Sequence, residues 1–334
     1  MTRAPARRSA FLLAAWLCAC AHAPAAAPRA AAAWPVGPSP RARWVRSLPA
    51  IRQASPAFWS RVASAILGTE QVEAEALALR RPMGVAAVPG GVAVADPDGP
   101  GVFRISDAGA LSEVSCAGRE WASPQGVAAS GRDLYVADAA APAVVRVDAA
   151  GACLAFGEEA LRRPLGVAAT SDRVYVVDGA LHAVLVFATD GRELSRFGER
   201  GEEAGGLNFP VAVAVEPDGS VLVVDSLNFR VARFAADGTF RSALGGEPDG
   251  PGGLPRPKGV AAAGDGRVFV SDAERDAVLV FQADGALDFV LGASGNGPAD
   301  LAMPAGLSLA NGLLYAADAM NRRVQVFELV GDAK

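Results

Sequence analysis

The feature that most constrains this 334-residue chain is a repeat that begins at residue 81 and continues to the C-terminus. The pattern Pro-x-Gly/Ala-Val/Leu occurs six times, with successive prolines 42, 40, 46, 47 and 47 residues apart. A second marker, an apolar run that ends in aspartate, keeps the same spacing. The prolines are Pro82, Pro124, Pro164, Pro210, Pro257 and Pro304, and the aspartates are Asp96, Asp138, Asp178, Asp225, Asp272 and Asp318. A period of this length indicates an array of one structural unit rather than two unrelated domains.

Each copy contains four short strand patterns, which are clearest in the fifth. A small apolar run (259–263) precedes an alternating run (267–272), a β-branched and aromatic run (277–281) and a last run (286–291). An Asp-Gly pair stands before the last run, and Asp-Gly between apolar segments is typical of a hairpin. Four antiparallel strands in a unit of this size form the blade of a β-propeller. The sequence therefore predicts an all-β, six-bladed β-propeller over residues 81–334.

The composition is rich in small apolar residues: 51% of residues are hydrophobic, but only 7% are aromatic. A propeller has a place for such residues. The innermost strand of each blade crowds around a central channel, where only small side chains fit. Four copies read Gly-Val-Ala-Ala at that position. The bulky residues fall in the third strands and are predicted to pack between neighbouring blades: Phe187, Phe234, Phe281 and Phe327.

The sixth copy holds only three strand patterns before the chain stops. Residues Arg43–Leu48 alternate as an edge strand does, and we predict that they supply the missing fourth strand and close the ring. A helix is expected between this strand and the first blade, with Ser55 as its N-cap and Gly68 after its end. Residues 41–80 thus hold a closing strand and a helix that latches onto the propeller. A membrane-surface or partner-binding helix is the alternative.

The N-terminus has the pattern of an export signal. Three arginines among the first eight residues precede a short apolar run, Ala10–Leu17, which is too short to span a bilayer. The following Leu17-Cys18-Ala19-Cys20 resembles the lipobox of bacterial lipoproteins. This resemblance implies that residues 1–19 are removed and that Cys20 is lipidated. Plain signal cleavage is the alternative.

Residues 20–40 are rich in alanine and proline and are predicted to form an extended tether. Residue 21 is alanine rather than aspartate, and the lipoprotein resemblance then implies an anchor in the outer membrane of a Gram-negative bacterium. Whether the protein faces the periplasm or the cell surface stays open. In this oxidising compartment only Cys116 and Cys153 would remain. They are expected to be unpaired residues of separate outer strands, because no pattern fixes their distance; a disulfide is the alternative.

Two copies carry a fuller polar signature. Asp225-Ser-Leu-Asn-Phe-Arg230-Val-Ala-Arg-Phe234 and Asp318-Ala-Met-Asn-Arg-Arg323-Val-Gln-Val-Phe327 resemble the NHL repeat. The resemblance covers residues 81–330, and together with the N-terminal region it is similar to six-bladed NHL-type lipoproteins of bacteria. The other four copies depart from the pattern, and two of them lack both the asparagine and the arginine. These polar positions are therefore interpreted as structural rather than catalytic.

Charge and histidine content exclude several functions. The net charge of −5 becomes −8 once residues 1–19 leave, and the chain has two lysines, which argues against nucleic-acid binding. The chain has two histidines, His22 and His182, so multi-histidine metal chemistry is not expected and no cofactor is predicted. The hypothesis that remains is a scaffold that binds an envelope protein or peptide. The alternative is a propeller enzyme, lyase or lactonase/hydrolase-like, with a metal in the central channel.

The candidate residues follow from this hypothesis. No catalytic or metal-binding residues are predicted. The six repeated aspartates could form a cation site, but capping of the turn that follows each strand is the preferred interpretation. The partner is expected on the face of the longest inter-blade loops, 199–209, 246–256 and 292–303. The candidate partner-binding residues there are His182, Arg230, Arg256, Arg275 and Arg322.

Overall fold

The alternating runs fold as the repeat predicts. The computed structural model describes residues 32–35, 40–49, 77–99, 101–246 and 248–330. These residues form six antiparallel sheets, five with four strands and one with five. The predicted all-β, six-bladed propeller is confirmed.

The strands follow the chain in blade order. Blade one comprises β3 (Gly84–Val88), β4 (Gly91–Asp96), β5 (Gly101–Ser106) and β6 (Leu111–Glu113); blade two β7 (Pro124–Ser130), β8 (Asp133–Asp138), β9 (Ala143–Val147) and β10 (Cys153–Phe156). Blade three comprises β11 (Pro164–Ala169), β12 (Arg173–Asp178), β13 (Ala183–Ala188) and β14 (Glu193–Phe197); blade four β15 (Pro210–Val215), β16 (Val221–Asp225), β17 (Arg230–Phe234) and β18 (Phe240–Gly245). Blade five comprises β19 (Pro257–Ala262), β20 (Val268–Asp272), β21 (Ala277–Phe281) and β22 (Leu287–Leu291); blade six β23 (Pro304–Ala310), β24 (Leu313–Asp318), β25 (Arg323–Leu329), β2 (Ala42–Leu48) and β1 (Ala33–Trp34).

Blade six is completed by the N-terminal strand β2. It pairs antiparallel with β25, and Trp44 lies opposite Phe327 in the register. The side chain of Gln325 accepts hydrogen bonds from Trp44 Nε1 and Ser47 Oγ, both at 2.8 Å. Leu48 is buried at the interface with blade one. The prediction that Arg43–Leu48 closes the ring is confirmed.

The two-residue strand β1 was not expected, because it falls inside the predicted tether of residues 20–40. Ala33 and Trp34 pair with β2, and the Trp34 ring meets the edge of Phe327 at 5.6 Å between centroids. A strand of two residues leaves no alternation for a pattern to reveal. The predicted signal peptide, Cys20, most of the predicted tether and the helix expected from Ser55 to Gly68 lie outside the described residues. Within the described ranges, helical structure amounts to one 3₁₀ turn, Ser226–Asn228, and no helix could cross a bilayer.

The hydrophobic core lies between blades rather than within them. The buried side chains form six clusters, one at each junction of neighbouring blades. Phe187 of blade three, for example, packs with Tyr135 and Ala137 of blade two. Phe234, Phe281 and Phe327 occupy the same place in later blades and are at most 1% exposed. The predicted packing between blades is confirmed.

The first strands crowd around the axis, which explains their glycines. A Cβ on Gly259 would lie 2.3 Å from the carbonyl oxygen of Ala305 in the next blade, and one on Gly84 would lie 2.8 Å from that of Gln125. Nonbonded Cβ atoms essentially never approach another atom within 3.0 Å. The close approach of two backbones therefore favours glycine at this position in five blades, whereas blade four carries Ala212 there.

The expectation for the two internal cysteines is wrong, because Cys116 and Cys153 form a disulfide with a Cα–Cα distance of 5.8 Å. Cys116 lies in the connection from blade one to blade two, and Cys153 begins β10, the outermost strand of blade two. That connection must run from the rim to the axis along the flank of blade two. The path of the connection, which the sequence pattern does not show, brings the two cysteines together.

Candidate functional site

Two kinds of connection share one end of the propeller, which we call the loop face. They are the connections from each blade to the next and the turns between the second and third strands. The first strands begin at this face, and the second strands end here in the six repeated aspartates. The hairpin turns between strands one and two and between strands three and four lie on the opposite face.

Each repeated aspartate is fully buried and accepts hydrogen bonds from backbone N–H groups. The carboxylate of Asp96 accepts from the N–H groups of Arg80 and Arg81 at 2.6 and 2.9 Å. Asp178 accepts from two amides before the first strand and two in the turn after itself. All six hold the segment that enters the blade, a role that sequence reasoning missed. The amides outside the following turn are those of Arg80, Arg81, Ala122, Ser123, Arg162, Arg163, Asn208, Arg256 and Ala302.

Blades four and six add an arginine that binds both the aspartate and a loop. Arg323 Nε donates to Asp318 at 2.8 Å, and its Nη2 donates to the carbonyls of Gly297 and Asp300 at 2.9 Å. Arg230 makes the matching set with Asp225 and with two carbonyls of the loop 199–209. Burial raises the pKa of Asp225 and Asp318 above the ordinary carboxyl value, and the hydrogen bonds that they accept oppose this effect.

In blade five an arginine at a different position holds the inter-blade loop. Arg275 occupies the position of the asparagine and donates to the carbonyls of Pro248, Gly250 and Gly253 at 3.0 to 3.1 Å. The three longest inter-blade loops are thus each held by one arginine. The sequence analysis placed Arg323 with Arg230 among the structural positions, and it did not show which loop carbonyls they bind.

The other predicted partner-binding residues lie on the loop face without forming one cluster. His182 Nδ1 accepts a hydrogen bond from the Phe209 N–H at 3.1 Å, and it joins blade three to blade four. The side chains of Arg256 and Arg322 are exposed. Arg322 has a positive φ of 57°, as does His182 at 56°. The five candidates are distributed over blades three to six.

Large apolar side chains remain exposed in two turns of this face. Leu227 and Phe229 lie in the turn of blade four and are 54% and 39% exposed. Met320, in the turn of blade six, is 58% exposed. Contiguous exposed apolar groups are typical of binding surfaces. Leu227 and Phe229 share one turn, and Met320 lies two blades away.

A cavity of about 210 Å³ opens on the loop face at the propeller axis. Each blade contributes to its lining the residue that follows the repeat proline, and Arg163 and Phe209 also contribute. The six residues are Met83, Gln125, Leu165, Val211, Lys258 and Ala305. Sequence reasoning missed this site, because the position appears as the variable residue of the Pro-x-Gly pattern. The signal in the sequence was that the residue after the repeat proline differs in every copy, while ring closure places these six residues around one cavity.

Lys258 is the charged member of that ring. Its side chain is half-buried, and among the described residues it has no hydrogen-bond acceptor. Burial lowers the pKa of its ammonium group below the ordinary value, the charge of Arg256 lowers this pKa further, and Asp272 opposes both. Across the ring, Gln125 donates from Nε2 to Ser123 Oγ at 2.9 Å.

An apolar belt forms the inner wall of this cavity. Five valines and Leu307 line both it and a second cavity of about 370 Å³ toward the opposite face, which is walled mainly by alanines. Alkyl side chains offer no metal ligands, and the described residues include no group of three or more histidine, cysteine, aspartate or glutamate side chains that could hold a metal ion. The lining thus does not favour the alternative of a metal enzyme with its site in the channel.

Comparisons with known proteins are consistent with the fold. No protein-family model matches the sequence, and no curated protein matches it. A gluconolactonase from Xanthomonas campestris is 18% identical, with a TM-score of 0.59 over 75% of this chain and 87% of its own. An auxiliary nutrient binding protein from Bacteroides thetaiotaomicron is 10% identical, with a TM-score of 0.60 over 75% and 69%. The chain shares their propeller fold.

A third structure extends the range of functions on this fold. A virginiamycin B lyase from Staphylococcus aureus is 12% identical, with a TM-score of 0.56 over 76% of this chain and 98% of its own. At these identities the similarity shows the fold alone. Proteins with different activities share the fold, so function must be argued from the residues of this chain.

Proposed function

We propose that this protein is an exported, lipid-anchored propeller that binds an envelope protein or peptide on its loop face. The observation that carries the proposal is the exposure of Leu227, Phe229 and Met320 beside inter-blade loops that arginine side chains hold in place. Its fold also occurs in an auxiliary nutrient binding protein, which is consistent with a binding role.

Ordered loops favour binding because little conformational entropy is lost when a partner docks. Arg230, Arg275 and Arg323 each donate to at least two carbonyls of one long loop. A loop fixed in this way avoids about 0.5 to 1.5 kcal/mol of ordering cost for each side chain already immobilised. These arginines fix the backbones of the loops, and the partner would contact the exposed side chains around them.

The exposed side chains indicate what the partner offers. Leu227, Phe229 and Met320 would pack against apolar side chains of the partner. Arg256 and Arg322 are exposed and would attract its carboxylates. A protein or peptide that presents apolar residues flanked by acidic ones fits this face, and such charges mainly raise the rate of association.

The test is the recovery of partners from envelope extracts by the tagged protein. We expect the triple variant Leu227→Ser, Phe229→Ser, Met320→Ser to lose the partners that the wild type recovers. The matched control is Leu154→Ser, Leu194→Ser, Val290→Ser, because these residues are 39 to 45% exposed on outer strands away from the loop face. If both triple variants recover the wild-type partners, the loop face is not the binding surface.

The anchor is tested separately by metabolic labelling with a fatty acid. The wild type should incorporate the label and the Cys20→Ser variant should not, because the proposed lipidation requires Cys20 as the first mature residue. Equal labelling of both proteins would show that Cys20 is not the anchor.

A further inference from the structure

We propose that the axial cavity binds a small carboxylate with an apolar body, and that Lys258 holds the carboxylate. This site goes beyond the surface proposed above, because its lining faces the channel rather than the exposed turns of the loop face. Its volume of about 210 Å³ is below the roughly 300 to 1,000 Å³ of cavities that take drug-sized ligands. The ligand is therefore small.

Among the residues that the structure describes, none forms a salt bridge with Lys258. Asp272 is the acid whose charge raises the pKa of Lys258. Both of its carboxylate oxygens already accept hydrogen bonds from the N–H groups of Arg256, Glu274 and Arg275. An ammonium group between apolar walls is costly to keep charged without a partner. A ligand carboxylate would supply a charge-assisted hydrogen bond at low dielectric, where such a bond is strongest.

Symmetry gives an independent argument. In the other five blades the equivalent residue is uncharged: Met83, Gln125, Leu165, Val211 and Ala305. The fold therefore builds this ring without a cation, and packing does not require one in blade five. A costly charge placed at one point of a near-symmetric ring is what a binding site for an asymmetric ligand requires.

The apolar residues of the cavity lining indicate the chemistry of the ligand beyond its carboxylate. Met83, Leu165, Val211 and the Phe209 ring surround the space with carbon, and the valine belt closes its inner end. The guanidinium of Arg163 lies over the Phe209 ring, 5.4 Å from its centroid. The lining holds two cations, the Lys258 ammonium and the Arg163 guanidinium, which suit a carboxylate. The apolar walls match a short alkyl or aryl group.

The experiment uses the full chain labelled with ¹³C at the lysine ε carbon. The chain has two lysines, Lys258 and Lys334, so the spectrum holds two signals and the second is an internal reference. The probes are 3-phenylpropanoate and its neutral isostere 3-phenylpropanamide. We expect the acid to shift the Lys258 signal saturably and to raise its titration midpoint, because a carboxylate stabilises the ammonium form. The amide should bind at least about tenfold more weakly.

Two variants complete the test, with binding measured by calorimetry. Lys258→Met keeps the length of the side chain and should lower the affinity for the acid at least about tenfold. Arg192→Met removes an exposed cation of the opposite face and should leave the affinity unchanged. An unchanged Lys258 signal, or equal affinities for acid and amide, would overturn the proposal.

The same chemistry could come from a free acid or from the C-terminus of a peptide. N-acetyl-Ala-Phe and its C-terminal amide distinguish the two sources. Tighter binding of this peptide than of 3-phenylpropanoate would identify a chain terminus, and binding of 3-phenylpropanoate alone would identify a free acid. The absence of binding by both acids would contradict the site, whereas the partner test on the loop face would be unaffected.

Discussion

At the scale of single residues, the repeated aspartate determines how each blade begins. Its carboxylate binds the amides of the segment that enters the blade, so one side chain fixes the connection near the axis. Complete burial and several N–H donors per carboxylate leave little freedom for a ligand. These contacts support a structural role in all six blades.

We expect Asp318→Ala to lower the free energy of unfolding by about 3 to 5 kcal/mol, because it leaves the charge of Arg323 buried without a counter-ion. Denaturation by guanidinium measures this change.

Glu328→Ala is the control in the same blade, since Glu328 is exposed and its loss should change stability by no more than about 0.5 kcal/mol. A loss below about 1 kcal/mol for Asp318→Ala would show that the pair contributes little. The double variant Asp318→Ala, Arg323→Leu should recover part of the loss, because no lone charge remains.

At the scale of strands, the inner ring depends on the close approach of neighbouring backbones. Gly259 donates its N–H to Ser271 Oγ at 2.8 Å, and the same hydroxyl donates to the Ala305 carbonyl. The hydroxyl thereby links the first strands of blades five and six. In the other blades alanine or valine occupies the position of Ser271, so this link is local to the last junction along the chain.

Gly259→Ala should destabilise the protein by about 1 to 3 kcal/mol, because its Cβ would displace the backbone of blade six. Gly264→Ala is the matched control in the same blade, since a Cβ there has no atom within 4 Å and its φ is not positive. This control should be neutral or stabilising by up to about 1 kcal/mol. Thermal melts of the two variants measure the difference. Equal melting temperatures would contradict the argument from close approach.

The disulfide should stabilise the connection between blades one and two. A loop of 37 residues gives about 4 kcal/mol in the chain-entropy estimate. Peptide mapping without reductant should recover the Cys116 and Cys153 peptides as one linked species. Reduction, or the variant Cys116→Ser, Cys153→Ser, should then lower the melting temperature. Recovery of two free-thiol peptides from the oxidised protein would show that the bond does not form.

The strands were predictable from sequence, and several contacts between them were not. Alternation and the Asp-Gly turns repeat in each copy, so periodicity shows them directly. The disulfide, the loop contacts of Arg323 and the ring that contains Lys258 each join residues whose proximity depends on the path of a connection or on closure around the axis. The resemblance to the NHL repeat indicated that Asn321 and Arg323 are structural, but it did not show which carbonyls they bind.

At the scale of the whole molecule, the ring is closed by contacts between distant parts of the chain. Arg41 binds Asp288 of blade five, 247 residues away. Leu48 belongs to the cluster that joins blades six and one, where it packs with Phe103 and Tyr315. The N-terminal strand therefore fills blade six and covers the edge of β25, which would otherwise be open to pairing with another chain.

Closure is tested by variants of β2 itself. Deletion of residues 41–48 should lower the melting temperature sharply and cause association, because it exposes the edge of β25 and uncovers the core beneath Leu48. Since a deletion can simply prevent folding, Leu48→Ala is the sharper probe. Leu48 is 1% exposed, and its truncation should cost about 2 to 5 kcal/mol.

Val45→Ala provides the control on the same strand, because Val45 is 41% exposed and its truncation should cost no more than about 0.5 kcal/mol. The melting temperature and the elution volume in size-exclusion chromatography report stability and association together. If Leu48→Ala and Val45→Ala have the same melting temperature, the pairing of the N-terminal strand with blade six does not stabilise the ring. If Leu48→Ala alone melts earlier, separation of β2 from β25 limits the stability of the whole propeller, since these paired strands lie far apart in the chain, with Trp44 and Gln325 separated by 281 residues.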